Sequence, residues 1–254
     1  MQADSIVLVT RAGKAGSSLA ARLDAEGWSA HHCPPVSLTG PLNRAACAEA
    51  LFAALPADRV ILTSPEGVRQ AVALVGAEAF VDSIVIAPGP GTARLATALG
   101  LTRVVSPERS GDSEAMLNLP ELMAVAGLRI LILAAAGGRR LLEIELSKRG
   151  ARVERLHVYR RLRCGLPDSL ADDIARADHV ISLISSGGAL EALQAGLSEA
   201  AWQDVLAGLL LVPSRRVAEL ARQAGGQSVI DAGGADDESF CQALRAAASA
   251  GQLR

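Results

Sequence analysis

Short apolar segments rich in β-branched residues alternate with alanine- and leucine-rich amphipathic segments along nearly the whole chain. Eight such segments predict strands, at 5–10, 59–63, 83–87, 103–106, 128–134, 179–184, 208–212 and 227–231. The intervening segments predict helices, at 15–26, 43–55, 66–76, 91–99, 113–124, 138–149, 168–176, 187–196, 215–224 and 236–250. Continuous apolar strands that alternate with helices are typical of parallel sheets covered by helices on both faces. The chain is therefore predicted to be an α/β protein with doubly wound parallel sheets.

The composition excludes several classes of protein. The 254 residues carry 25 basic and 27 acidic side chains, and the aromatic residues are two tryptophans, one tyrosine and three phenylalanines. A nucleic-acid binder would need a basic face and usually stacking rings, so that class is disfavoured. No apolar run approaches the ~20 residues that span a bilayer, and no basic segment precedes a long apolar one at the start. We therefore expect a cytoplasmic protein that binds neither nucleic acid nor membrane.

The cysteines do not form a recognisable ligand or disulfide pattern. Cys33, Cys47, Cys164 and Cys241 are widely separated, and no CxxC pair occurs. This spacing favours reduced, individually buried thiols over disulfides or a zinc site.

The sequence uses each strand–loop–helix unit about twice. Residues 6–28 resemble residues 130–151 in having an apolar strand, a glycine-containing turn, a helix and a terminal glycine. Residues 61–72 likewise resemble residues 183–194. A third pair joins the segments that begin at Ile86 and Leu211. Two similar α/β halves are the simplest interpretation.

Two extended segments, 29–37 and 151–163, do not fit this pattern of buried strands. The second carries five arginines, which predicts a solvated antiparallel ribbon between two domains. The single tyrosine of the chain, Tyr159, lies in this segment. A phenol there is either a half-buried packing ring or a hydrogen-bond donor and proton source.

Small or hydroxylated residues stand where predicted strands turn into helices: Ser64, Gly91 with Thr92, Ser186 and Ser214. Such residues cap the free N–H groups of a first helical turn. The same geometry binds anions, and ligands of open α/β sheets lie at the carboxyl ends of the strands. Capping and anion binding both remain open at this point.

Motifs for phosphate, metal or covalent chemistry are absent. Gly13-Lys14 lacks the flanking residues of a phosphate-binding loop, and Arg94 stands where a dinucleotide fingerprint would have its third glycine. His31-His32-Cys33 alternate between the two faces of a strand and cannot converge on one ion without a turn. No serine lies in a GxSxG motif. We expect neither a metal nor a covalent intermediate.

Taken in order, six motifs resemble the uroporphyrinogen-III synthase family over nearly the whole chain. They are VTR near the start, TSPEGV, PGPGTARLATALG, DSEAML, GGRRLLEIELSKRGARVERLHVYRR and SSGGALEAL. The resemblance implies two α/β domains joined by a two-stranded β-ladder linker. Domain 1 would comprise 1–37 plus 160–254 and domain 2 would comprise 40–157, with the ladder at 29–37 and 151–163.

The resemblance also implies a reaction: cyclisation of the linear tetrapyrrole hydroxymethylbilane to uroporphyrinogen III, with inversion of ring D and loss of water, without a metal or an organic cofactor. Tyr159 matches the tyrosine that the family is proposed to use to assist loss of the ring A hydroxyl. The implied substrate-binding residues are Thr10, Arg11, Thr63, Ser64, Gly91, Thr92, Gly138, Arg139, Ser185, Ser186 and Ser214.

This chain departs from the family pattern at two places. Val217 stands where a threonine is often found, and Ala134-Ala135 stand where an arginine and a glycine often precede Gly138-Arg139. Binding of the substrate carboxylates is expected from helix N-termini and from nearby arginines: Arg11, Arg94, Arg139, Arg215 and Arg216.

The expected partner is hydroxymethylbilane, with a transient contact to the enzyme that produces it, and the protein is expected to be a monomer. Two alternatives remain: a non-catalytic two-domain protein that binds an anionic small ligand through the same helix N-termini, and a nucleotide-sugar or phosphate-transferring enzyme. The second would need the phosphate-loop motifs that are missing here.

Overall fold

The computed structural model describes residues 5–108 and 113–251. The chain divides into two compact units, one formed by Met1–Ser37 with Leu162–Arg254 and the other by Leu38–Arg161. Within the described residues, no helix combines the length and the apolar composition needed to cross a membrane.

The strands and helices follow one another along the chain much as the alternation predicts. The strands are β1 (Ser5–Val9), β2 (Ser29–His32), β3 (Val36–Thr39), β4 (Arg59–Leu62), β5 (Ile84–Ile86), β6 (Val104–Val105), β7 (Arg129–Ala135), β8 (Arg152–Arg163), β9 (His179–Leu183), β10 (Leu209–Val212) and β11 (Ser228–Asp231). The α-helices are α1 (Gly13–Ala25), α2 (Arg44–Ala54), α3 (Pro65–Val75), α4 (Pro90–Ala98), α5 (Ser113–Leu117), α6 (Pro120–Met123), α7 (Leu141–Lys148), α8 (Leu170–Arg176), α9 (Gly187–Gly196), α10 (Glu199–Ala207), α11 (Arg215–Gln223) and α12 (Asp237–Ser249).

Five strands of each sheet follow the same order, and the second sheet has one further strand, β3. The first runs β11-β10-β9-β1-β2 and the second β3-β8-β7-β4-β5-β6. Neighbouring strands are parallel throughout the first sheet and from β8 to β6 in the second. The order β2-β1-β9-β10-β11 thus corresponds to β8-β7-β4-β5-β6, and the repeated segments occupy equivalent places: β1 with β7, β9 with β4, and β10 with β5. The predicted duplication is confirmed.

Helices cover both faces of each sheet. Ile6 and Leu8 of β1 pack into one apolar cluster, while Val7 and Val9 pack into another on the opposite face. Residues 130–133 of β7 alternate between two clusters in the same way. Burying one such side chain stabilises the fold by about 1.5–3 kcal/mol, so both faces contribute. The doubly wound parallel α/β class predicted from the sequence is confirmed.

The segments predicted as a solvated ribbon are largely strands of the two sheets. In 29–37, β2 pairs in parallel with β1. In 151–163, β8 pairs in parallel with β7 from Arg152 to Tyr159. The five arginines suggested a solvated segment outside the sheets. A strand, however, alternates its side chains between two faces and can carry charged side chains on the exposed face. The predicted two-stranded ladder is therefore limited to the stretch where β3 lies beside β8.

Two helix predictions need correction. Residues 113–124 form two short helices, α5 and α6, because Pro120 can begin a helix but cannot continue one. The prediction also missed α10, whose N-terminal cap is Ser198. The sequence signal for α10 is Ser198 followed by Glu199 and an apolar run.

The four cysteines are free, and only two of them are buried as predicted. Cys33 and Cys241 are 1% exposed, whereas Cys47 and Cys164 are half-buried. Burial raises the pKa of the Cys33 thiol to about 12, because the low-dielectric core penalises the thiolate.

We expect iodoacetamide at pH 8 to alkylate Cys164 well before Cys33 in the folded protein. At pH 8 a thiol of pKa about 12 is ionised to roughly one part in ten thousand, and the thiolate is the reactive species. Peptide mass spectrometry over time gives the order of labelling, and labelling in urea serves as the control. Equal rates in the folded protein would contradict the burial of Cys33.

Candidate active site

Three serines cap helices that follow parallel strands. Ser64 Oγ accepts a hydrogen bond from Gly67 N at 3.1 Å, and Ser186 Oγ accepts one from Ala189 N at 3.2 Å. Ser214 Oγ accepts a longer bond, 3.5 Å, from the third residue of its helix. The capping interpretation is therefore confirmed for α3, α9 and α11.

The fourth predicted loop is built differently. Gly89, rather than Gly91 or Thr92, precedes α4, and Pro90 is its first helical residue. Gly91 and Thr92 therefore belong to the first turn, where Thr92 is buried. Proline suits this position because the N–H that it lacks would have no helical partner there.

Two threonines join neighbouring strands at their carboxyl ends. Thr10 is fully buried; its Oγ1 donates to Leu183 O at 2.8 Å and accepts from Ser185 N at 3.0 Å. Thr63 Oγ1 similarly donates to Leu133 O at 3.2 Å. These hydroxyls hold the loops after β1 and β4 in place. Their hydrogen bonds to the backbone therefore give both threonines a structural role.

Tyr159 lies where β8 has a bulge. Ala134 pairs with His157, but the next residue of β7, Ala135, pairs with Tyr159, so the register shifts by one residue. Such a shift turns the following side chains, which explains why Val158 and Tyr159 are both buried although they are adjacent. Tyr159 is only 1% exposed.

The Tyr159 hydroxyl contacts a serine and an arginine. Its Oη lies 2.8 Å from Ser64 Oγ, and Arg161 Nη2 donates to the same Oη at 3.2 Å. The Arg161 guanidinium carbon is also 5.7 Å from the centre of the tyrosine ring. Sequence reasoning found Tyr159 and Ser64 but missed Arg161. The period of two along a strand was the available signal, because residues 159 and 161 share a face.

Arg216 is the predicted arginine with an unsatisfied buried atom. Its Nε is buried and has no hydrogen-bond partner among the described residues. Its Nη1 lies 3.4 Å from where a Cβ on Gly187 would stand, so the guanidinium reaches the first turn of α9 from the first turn of α11. Helix N-termini carry partial positive charge, so a cation placed beside two of them is electrostatically unfavourable. A bound anion would relieve that repulsion.

The other predicted arginines are engaged elsewhere or lie apart. Arg11 bonds to Asp237 and to the carbonyl of Ala235. Arg139 bonds to Glu114 at 2.8 Å, and Arg215 to Glu219 at 3.2 Å. Arg94 is exposed on α4.

Gly138 and Arg139 lie in the loop between β7 and α7. Gly138 has a φ of +85°, a left-handed conformation that favours glycine. A residue that the sequence analysis missed holds this loop: Arg155 of β8 donates to Gly137 O at 2.9 Å and to Arg139 O at 3.0 Å.

The side chains of His31, His32 and Cys33 do not converge. His31 Nδ1 lies 3.8 Å from an Asp173 oxygen, His32 Nε2 donates to the Arg11 carbonyl at 2.8 Å, and Cys33 is buried. Among the described residues, no group of three or more histidine, cysteine or acidic side chains is arranged to hold a metal ion.

Comparison with known proteins gives one consistent result. A family model described as uroporphyrinogen-III synthase HemD matches residues 17–241. The chain is 30% identical to the uroporphyrinogen-III synthase of Escherichia coli and 32% identical to that of Salmonella typhimurium. In both cases the match covers 94% of this chain and 99% of the relative.

Solved structures show the same fold. A mutant uroporphyrinogen III synthase of the extreme thermophile Thermus thermophilus superposes with a TM-score of 0.64 at 19% identity, over 96% of this chain and 98% of that one. The enzyme of Helicobacter pylori gives a TM-score of 0.58 at 12% identity, over 95% and 98%. At these identities, the two similarities show a shared fold.

Proposed function

The chain belongs to the uroporphyrinogen-III synthase family and cyclises hydroxymethylbilane in tetrapyrrole biosynthesis, and we propose that two groups of side chains, one in each compact unit, act on this substrate. The first group is Ser64, Tyr159 and Arg161, and the second is Ser186, Ser214 and Arg216. We assign the unit Met1–Ser37 with Leu162–Arg254 to one domain and the unit Leu38–Arg161 to the other, close to the domains 1–37 plus 160–254 and 40–157 that the family resemblance implies. The placement of the Tyr159 hydroxyl between Ser64 and Arg161 is the observation that carries the proposal.

The first group provides a proton for the departing ring A hydroxyl. Loss of that hydroxyl as water leaves a reactive azafulvene cation, which can close without further assistance. The protein then has to determine which carbon of ring D attacks. Positioning of the bound tetrapyrrole can supply that selectivity. A phenol with a neighbouring guanidinium is suited to supply the proton, because the cation stabilises the charge left on the phenol oxygen.

The second group binds substrate carboxylates. The acetate and propionate groups of the substrate are anions, and two capped helix N-termini with an unsatisfied arginine offer them N–H donors and positive charge. The remaining proposed contacts are Thr10, Arg11 and Ser185 in the unit of the second group, and Thr63, Gly91, Thr92, Gly138 and Arg139 in the other unit.

We expect Arg216→Gln to raise the KM for hydroxymethylbilane about tenfold and to change kcat little. One charge-assisted hydrogen bond contributes about 1.5–3 kcal/mol, and it is present in the ground state as well as in the transition state. Initial rates over a range of substrate concentrations test this. The matched control is Arg176→Gln on α8, which removes a largely exposed charge paired with Asp173. An equal KM for both variants would exclude Arg216 from the binding site.

An isomer assay tests the reaction itself. Freshly generated hydroxymethylbilane is mixed with the protein, the product is oxidised, and the type I and type III uroporphyrins are separated. We expect predominantly type III, which requires inversion of ring D. Type I alone from folded protein would leave non-catalytic binding of an anionic ligand as the better interpretation.

We further propose that the enzyme is a cytoplasmic monomer that contacts the bilane-producing enzyme transiently. The substrate closes unaided to the type I isomer, so direct transfer would reduce that loss. Sedimentation of the protein alone tests the monomeric state, and sedimentation with the bilane-producing enzyme tests the transient contact. A stable dimer, or identical type I losses in coupled and uncoupled assays, would contradict them.

A further inference from the structure

The hydroxyl assigned as proton source is enclosed by protein. Tyr159 is 1% exposed, and a Cβ on Gly67 would stand 4.0 Å from its ring. Ser64, by contrast, is half-buried and stands at the carboxyl end of β4, where ligands of parallel sheets bind. Of the two bonded hydroxyls, the serine belongs to the more accessible residue.

The hydrogen-bond donors around these hydroxyls favour one direction for the shared proton. Arg161 can only donate, so Tyr159 Oη accepts from it, and Gly67 N donates to Ser64 Oγ. If Ser64 donated to Tyr159, the phenol proton would be left without an acceptor in a buried site, which is costly. If Tyr159 donates to Ser64 instead, both acceptor positions of Ser64 are filled and its own proton is free. That proton can then be donated to an incoming oxygen.

We propose that Ser64 is the catalytic residue that touches the ring A hydroxyl, and that Tyr159 and Arg161 position it and resupply its proton. This inference rests on the proposed function of the group. The Ser64 proton moves to the hydroxyl oxygen as the carbon–oxygen bond breaks, and water leaves with the bonding electron pair. Ser64 takes the Tyr159 proton, and the resulting phenolate lies against the Arg161 guanidinium. Ring closure on ring D later releases one proton from the substrate, which restores Tyr159, so no co-reactant is needed.

A double-mutant cycle tests whether Ser64 and Tyr159 belong to one proton path. We expect Ser64→Ala and Tyr159→Phe each to lower kcat about 100-fold with KM changed less than about twofold, because general acid catalysis contributes at least about that much. The double variant is expected to be no slower than either single variant, since both remove the same proton path. Ser64→Thr keeps the hydroxyl and the cap and is expected to restore most of kcat.

Rates in mixtures of H₂O and D₂O provide a readout that a purely structural role would not change. A relay moves two protons together, so the native rate is expected to vary non-linearly with the deuterium fraction. In Tyr159→Phe only one proton moves, and the variation is expected to become linear. This comparison does not require the Ser64→Ala protein to fold.

Ser198→Ala is the matched control, because Ser198 caps α10 through the same bond to the third residue of its helix. It is expected to lower the melting temperature as Ser64→Ala does and to leave kcat unchanged. Native kcat in Ser64→Ala, multiplicative losses in the double variant, or a linear native D₂O dependence would each overturn the relay while type III is still formed. Type I alone from the native protein would instead overturn the proposed function.

Discussion

The Tyr159→Phe variant is expected to form type III product about 100-fold more slowly than the native protein, with the selectivity of its enzymatic product unchanged. The substitution keeps the ring in its place on β8 but removes the oxygen that accepts from Arg161 Nη2 and that lies 2.8 Å from Ser64 Oγ. Proton supply is lost, whereas the loops that orient the substrate stay where they are. The rate should therefore fall while the isomer selectivity stays unchanged.

The measurement must subtract ring closure that occurs without the enzyme. A slow variant lets unaided closure accumulate type I, so the isomer ratio should be measured at rising enzyme concentration and extrapolated to saturation. Ser83→Ala is the control: Ser83 is fully buried in the same unit, and its Oγ donates to Ala57 O at 2.7 Å. It should lose about 1 kcal/mol of stability and no activity. Native kinetics in Tyr159→Phe would reduce Tyr159 to a packing residue.

Gly16→Ala is expected to lower the free energy of unfolding by about 3 kcal/mol or more. A Cβ at position 16 would stand 1.8 Å from the Arg11 carbonyl oxygen and 2.5 Å from His32 Nε2, and that oxygen is already bonded to His32 at 2.8 Å. Overpacking of this kind costs typically about 1–3 kcal/mol and more where backbone must move. The loop after β1, which holds Thr10 and Arg11, would have to shift.

Urea unfolding followed by tryptophan fluorescence suits this test, because both tryptophans, Trp28 and Trp202, belong to the same unit as Gly16. A lower midpoint at unchanged slope is expected. Gly188→Ala is the control: this helical glycine has no atom within 4 Å of an added Cβ, and alanine there should stabilise α9 by up to about 1 kcal/mol. A Gly16→Ala protein as stable as the native one would mean that the loop is free to move.

Local chemistry explains what could be predicted about the site. Ser64, Ser186 and Ser214 were identified as helix starts, since a cap depends on residues within one turn. Local sequence does not distinguish among the five proposed arginines, because it carries no information on the acidic partners that the structure gives to Arg11, Arg139 and Arg215. Asp237, the partner of Arg11, is 226 residues away along the chain, a separation over which spacing carries no information.

Sequence patterns are sufficient to predict the strand–helix alternation, the duplication and the family, because apolar periodicity, capping residues and ordered motifs are properties of neighbouring residues. Which distant side chains come into contact depends on the three-dimensional fold. Ser64 and Tyr159 are 95 residues apart and meet because β4 and β8 both flank β7 and because a bulge shifts the β8 register by one residue. A one-residue shift reverses the direction of a side chain, and it depends on pairing between strands that are distant in sequence.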